Sequence, residues 1–195
     1  MPAVAPILLS AMKVVAFDSN VAGEASLTAY VMPDSSLLLL GKPFFMPAFA
    51  ESFEATFQLA FRIDRIGKTI APRFAPRYIG AVAPAMAIKA VGMEPERLNG
   101  AFDGAAVVGQ FVPIAEWDPA EPVSFSIDGE RQCELAAASL AHSPAELVSF
   151  ASSYFTFKMG DIVFSGSPFR PITLKPEMVI TAMAREERLL KCKIK

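Results

Sequence analysis

The stretch FEATFQLAFRID, residues 53–64, carries Glu54, Thr56 and Gln58 at alternate positions, with Arg62 and Asp64 following in the same phase. A hydroxyl and an amide two residues apart on a strand can orient a polar ligand by hydrogen bonds, and Glu54 is the one anion beside them. The opposite phase, Phe53, Ala55, Phe57, Leu59, Phe61 and Ile63, is apolar throughout. Period-two alternation sends that row into a core and the first row onto a second face, which looks either at water or at a pocket. Other chemistry-bearing residues are sparse. His142 is the only histidine, and a lone imidazole at a helix entry is more often a surface or capping group than a general base. Cys133 and Cys192 form no CxxC or Cys/His spacing, so neither a zinc site nor a disulfide framework is supported. Ser165 and Ser167 of SGSP offer hydroxyl nucleophiles, yet no histidine is placed by sequence to activate them.

The elements that must position these groups are short. Sixteen prolines and eleven glycines are spread along the chain, which argues for brief strands joined by irregular turns. Strands are expected at Lys13–Phe17, Ala29–Met32, Phe57–Ile63, Gly80–Ala85, Val107–Val112, Val123–Ile127, Asp161–Ser165 and Val179–Ala184. Asp128-Gly129 between alternating residues is a strong hairpin signal. AREERLLKCKIK reads as a charged turn between two closing strands, and KTIAPRFAPRYIGAV as a short helix or turn bounded by Pro72 and Pro76. One helix is well marked: Ser143 with Glu146 three residues on is a capping box, and Pro144 takes the first helical position.

The 195 residues, 53% hydrophobic, suit one domain with a substantial core. Eighteen basic and twenty acidic residues are intermixed for a net charge of −2, which argues against nucleic acid or an anionic membrane as partner. The opening MPAVAPILLSAMKVV lacks a basic leader and is shorter than the ~20 residues of a membrane span, and the two cysteines without a disulfide or zinc spacing fit a reducing, cytoplasmic setting. Met12 is a candidate start alternative to Met1, with 1–11 a loose tail and 12–195 the single domain.

Three stretches, PDSSLLLLGKPFFMPAFAESFEATFQLAFRIDRIGKTIAPRFAPRYIGAV, AFDGAAVVGQFVP and SSYFTFKMGDIVFSGSP, resemble the fumarylacetoacetate hydrolase family. Its members cleave or decarboxylate 2-oxo and β-diketo acids or isomerise related dienoates. The resemblance covers Met12 to the C-terminus, and KMGDIVFSGSP is its most specific part. It implies a mainly β (α+β) fold, a mixed β-sandwich roll with a few short helices, assembled as a homodimer. The family's chemistry uses Mg or Mn held by carboxylates, because a hard cation needs anionic oxygens to offset its dehydration.

Laid on that pattern, Thr56 and Gln58 stand at the two Glu positions and Ala87 at the Asp position. Asn20 is kept from the N-terminal motif, while Val21 stands for Tyr, Glu24 for the acid–base His and Leu27 for its Glu partner. Gly100 stands for the lysine before AFDG, and Asp103 of that motif reads as a turn residue. Ser167 keeps a hydroxyl where the family has Thr, and Phe169 and Arg170 follow where small residues are usual. The shape-defining motifs GKPFFMP, IAPRFAPRY, FDG and KMGDIVFSG are intact.

The resemblance therefore implies a catalytically degenerate homologue without metal or other cofactor. Its dimeric scaffold would serve binding of a carboxylate-bearing small molecule or pairing with another protein such as an active paralogue. Candidate pocket residues are Asn20, Glu24, Glu54, Lys89, Asp103, Ser167 and Arg170. The competing expectation is a metal-dependent hydrolase or decarboxylase of a 2-oxo or β-diketo acid, with Glu54, Glu24 and Asp103 as atypical ligands.

Overall fold

The computed structural model describes residues 13–23, 27–38, 40–94 and 96–195, the side chain of Arg97 excepted. The expected tail 1–11, the alternative start at Met12 and the candidate pocket residue Glu24 lie outside them. In chain order the strands are β1 (Val14–Phe17), β2 (Ala29–Met32), β3 (Leu37–Leu38), β4 (Ser52–Ile63), β5 (Ile79–Val91), β6 (Ala106–Val108), β7 (Val112–Pro113), β8 (Val123–Ile127), β9 (Glu130–Leu135), β10 (Ile162–Phe164), β11 (Ile172–Thr173), β12 (Val179–Ala184) and β13 (Glu187–Lys193). Among the described residues one α-helix, α1 (Pro144–Tyr154), stands with four three-residue 3-10 turns and one longer 3-10 segment, Pro72–Tyr78. The mainly β architecture implied by the resemblance is the one observed.

Nine strands make a mixed sheet ordered β2-β1-β10-β4-β5-β6-β3, with β11 alongside β4 and β7 alongside β5; β13-β12-β8-β9 form a second, antiparallel sheet. Phe57 of β4 and Phe125 of β8 stack with ring centroids 4.8 Å apart, joining the two sheets through the core. The apolar row of β4 is buried throughout, from Phe53 to Ile63, as its alternation requires. Its other row, from Glu54 to Arg62, is half-buried or buried, so this face does not look at bulk water.

The long β4–β5 ladder sets the site. Antiparallel register pairs Glu54 with Lys89, Thr56 with Ala87 and Gln58 with Ala85, and directly opposed residues project to one face. The strand expected at Gly80–Ala85 runs on to Val91, and that extension brings Ala87 and Lys89 onto the face of Thr56 and Gln58. The strand expected over Val107–Val112 is interrupted. After β6, Gly109 donates to the Pro84 carbonyl at 2.8 Å and Gln110 to the Leu189 carbonyl at 2.7 Å, so the chain leaves β5 to touch the second sheet before β7 resumes. The local cause is close approach: a Cβ on Gly109 would lie 2.5 Å from that Leu189 oxygen.

Two local expectations formed as the chemistry demands. Asp128 and Gly129 both take positive φ, +50° and +88°, in the β8–β9 hairpin, the conformation of a type I′ turn. At α1 the Ser143 hydroxyl accepts from the Glu146 amide at 3.3 Å, and the Glu146 carboxylate accepts from the Ser143 amide at 2.7 Å.

Candidate functional site

A cleft of about 350 Å³ opens beside the polar row of β4, a volume in the range of small-molecule sites. Thr56 and Gln58 form its floor. Lys89 of β5, Asp18 and Ser19 after β1, and Tyr30 of β2 form one wall, and the turn Ser167–Pro171 forms the other. The parallel β1–β10 pairing continues as a bridge between Ser19 and Ser167, which is how residues 148 apart in the chain come to face each other. Gly166 makes the approach feasible. Its φ is +72°, and a Cβ there would lie 2.4 Å from the Ser19 carbonyl oxygen.

The floor is neutral and internally bonded. Gln58, buried, donates through Nε2 to Thr56 Oγ1 at 2.9 Å and to the Phe17 carbonyl at 3.3 Å. Its Oε1 accepts from the Gly166 amide at 2.9 Å. Thr56 Oγ1 in turn reaches the Ala87 carbonyl at 3.5 Å. Both polar atoms of the Gln58 amide are thus engaged by protein. A buried amide gains most when every polar atom is paired.

Charge enters from the walls. Lys89 Nζ is ion-paired with Asp18 and lies 5.0 Å from the centroid of the Tyr30 ring, an ammonium–π contact. Burial, then the Asp18 charge, hold the Tyr30 phenol above the usual tyrosine range. Arg170 lines the opposite wall, exposed and without an ion pair among the described residues. Phe169 and Pro171 add apolar surface beside it. The cleft therefore presents two cations, one of them paired with the Asp18 carboxylate, a neutral polar floor and an apolar edge.

Of the residues singled out by sequence, Thr56, Gln58, Lys89, Ser167 and Arg170 come together in this cleft. Ala87 lies next to Thr56 on the ladder but is buried and outside the lining. Glu54 sits one step further along, opposite Lys89 and Thr173, also outside it. Asp103 is exposed in the turn before β6, the turn role its motif suggested. Asn20 is a strut rather than a pocket wall. Buried, it donates to the Ser165 carbonyl at 2.8 Å and the His142 carbonyl at 3.0 Å, and its Oδ1 accepts from the His142 amide at 2.7 Å. His142, remote in sequence, is thus tied to the Asn20 segment by its backbone.

Both serines are buried but differ in their bonds. Ser165 donates to the Gly166 carbonyl and accepts from the Leu59 amide, whereas Ser167, in the cleft lining, accepts through Oγ from the Phe169 amide at 3.1 Å. Asp18 and Tyr30 carried no sequence signal, since a lone acid after a strand and a tyrosine within one acquire meaning only when β1 and β2 pair. Among the described residues no three His, Cys, Asp or Glu side chains converge as a metal-holding group. The positions at which the family resemblance implies carboxylates hold a hydroxyl, an amide and a methyl: two neutral oxygens and a group with no lone pair, a poor fit to a hard divalent cation that is held by anionic oxygens.

Residues 10–188 match the family model described as fumarylacetoacetate (FAA) hydrolase C-terminal. Over 86 residues the chain is 33% identical to the oxaloacetate tautomerase YcgM of Escherichia coli (strain K12), covering 42% of this chain and 39% of that protein, well under half the relative's length. Over 149 residues it is 23% identical to the mitochondrial oxaloacetate tautomerase fahd-1 of Caenorhabditis elegans, covering 71% of this chain and 70% of that one. Among solved structures, a fumarylpyruvate hydrolase from Pseudomonas aeruginosa in complex with Mn2+ and pyruvate has the same fold. The TM-score is 0.82 at 19% identity, over 93% of this chain and 88% of that one.

Proposed function

Since this chain belongs to the fumarylacetoacetate hydrolase C-terminal family, we propose that it is a catalytically degenerate member whose cleft binds a small carboxylate without a divalent metal. The observation that carries the reading is the floor. Thr56 and Gln58 are neutral and bonded to one another, to Phe17 and to Gly166, so the groups that would meet a cation offer no charge to offset its dehydration. Lys89 is ion-paired with Asp18 and lies against Tyr30; with Arg170 the lining carries two cations against that one carboxylate, and the net positive charge opposes a metal ion while attracting an anion. Arg170 adds a planar fork suited to a carboxylate. A ligand carboxylate placed between them would sit over the Thr56 hydroxyl with its carbon chain toward Phe169 and Pro171.

In this reading the scaffold is a homodimer of 21.0 kDa chains, in a cytoplasmic setting, able to pair with an active paralogue. No helix among the described residues is long and apolar enough to cross a membrane. The similar fold of the fumarylpyruvate hydrolase bound to Mn2+ and pyruvate favours a second reading, a metal-dependent hydrolase or decarboxylase of a 2-oxo or β-diketo acid. It would use atypical ligands such as Glu54, Glu24 and Asp103; neither Glu54 nor Asp103 reaches the cleft lining, whose one described carboxylate, Asp18, is paired with Lys89. Assay of oxaloacetate and acylpyruvate with added Mn2+ separates the two. The proposal predicts no turnover above the protein-free rate, and metal-dependent turnover removed by EDTA would overturn it.

A further inference from the structure

A second cleft, of about 450 Å³, lies beyond the far end of β4 and shares no lining residue with the first. Thr56 and Ile63 alone are seven residues apart on that strand, roughly 23 Å at the rise of an extended chain. Its lining includes Arg65, Lys68 and Arg77, together with Ile66, Phe74 and Tyr78. Residues 65–79 hold four basic side chains, Arg65, Lys68, Arg73 and Arg77, and no acid, in a chain of net charge −2. All four are exposed. None has an ion pair among the described residues, because the adjacent Asp64 is taken by Arg62. Repulsion among such cations is a standing cost that a bound anion relieves.

The cations are organised by their surroundings. Arg73 and Arg77 lie against the Phe74 ring, their guanidinium carbons 4.7 and 5.4 Å from its centroid, so stacking orients both forks, and among the described residues neither makes an ion pair. Between Lys68 and Ile70, Thr69 is held at φ +52°, a left-handed conformation that strains a β-branched residue and is found at functional sites more often than elsewhere. Ser152 of α1 enforces it, its carbonyl accepting from the Thr69 amide and its hydroxyl from the Ile70 amide, each at 2.8 Å. The floor of the cleft is thereby tied to the helix. Ile66 is 70% exposed and Phe74 40%, an apolar lip beside the charges.

We propose that this cleft is a separate binding site for a small organic phosphate. The phosphate lies on Arg65, Lys68 and Arg77, and an aromatic or apolar body of the ligand covers Ile66 and Phe74. Guanidinium forks beside an aromatic face are matched to that combination, and the volume suits a small molecule.

The test is calorimetric titration of the full chain with ADP, and separately with inorganic pyrophosphate, at low ionic strength. Saturable 1:1 binding of ADP is expected, tighter than that of pyrophosphate. Arg77→Ala and Lys68→Ala should each weaken it about tenfold. Both positions are exposed, so the variants fold; unchanged circular dichroism and melting temperature verify this. The proposal is overturned by an absence of saturable ADP binding up to millimolar concentration, or by pyrophosphate binding as tightly as ADP. It is equally overturned by ADP binding that survives both substitutions, or that is lost instead in Lys89→Ala, which would place the ligand in the first cleft.

Discussion

At the residue scale the account turns on Gln58, whose amide ties β4 to the ends of β1 and β10 at once. Truncating it to alanine leaves the Gly166 amide and the Phe17 carbonyl without a partner in a buried place. Gln58→Ala should therefore lose about 1–3 kcal/mol of stability, read by urea denaturation. Thr56→Val, which removes one hydroxyl partner of that amide, should cost less in the same measurement. Tyr30 supplies a spectroscopic check on the charged wall. Its phenol is held high chiefly by burial, with the Asp18 anion adding to the shift, so folded protein should contain a tyrosine that ionises above the ordinary range. In ultraviolet titration that step should disappear in Tyr30→Phe and move down, without reaching the ordinary value, in Asp18→Asn.

At the element scale, the capping box at α1 has a pH consequence whose sign is fixed. The amide and hydroxyl of Ser143 donate to the Glu146 carboxylate and hold its pKa below the usual glutamate value. A group depressed in the folded state contributes stability above its unfolded pKa, about 4.3, and loses it as pH falls through the folded value. Ser143→Ala should cost about 1 kcal/mol near neutral pH, and the stability gap between Glu146→Gln and the parent should close in acid. Elements of this kind were legible because their signals are local. The hairpin at Asp128-Gly129, the cap at Ser143 and the strand at Val179–Ala184 each rest on residues within one turn or one alternation. The extension of β5 past Ala85 was not legible, because Ala87 and Lys89 are held in the strand by the long ladder with β4 rather than by propensity. The break at Gly109 was hidden for the same reason, since its cause is a backbone brought in from β13.

At the scale of the whole molecule, family membership explains why the fold could be read from shape-defining motifs while the site could not be completed. Thr56, Gln58, Ser167 and Arg170 were visible as substitutions in a pattern. Asp18 and Tyr30 reach the same cleft only through pairing of β1 with β2 and β10, contacts that no spacing along the chain encodes. Self-association is testable at this scale too, and light scattering should report a mass twice that of the 21.0 kDa chain. The central claim is that carboxylate binding in the first cleft depends on Lys89 and not on a divalent metal. Its most direct measurement is a calorimetric titration of pyruvate into EDTA-treated protein, repeated with Mn2+ present. The account predicts the same saturable binding in both, lost in Lys89→Met; binding that appears only with Mn2+, or no binding in either condition, would contradict it.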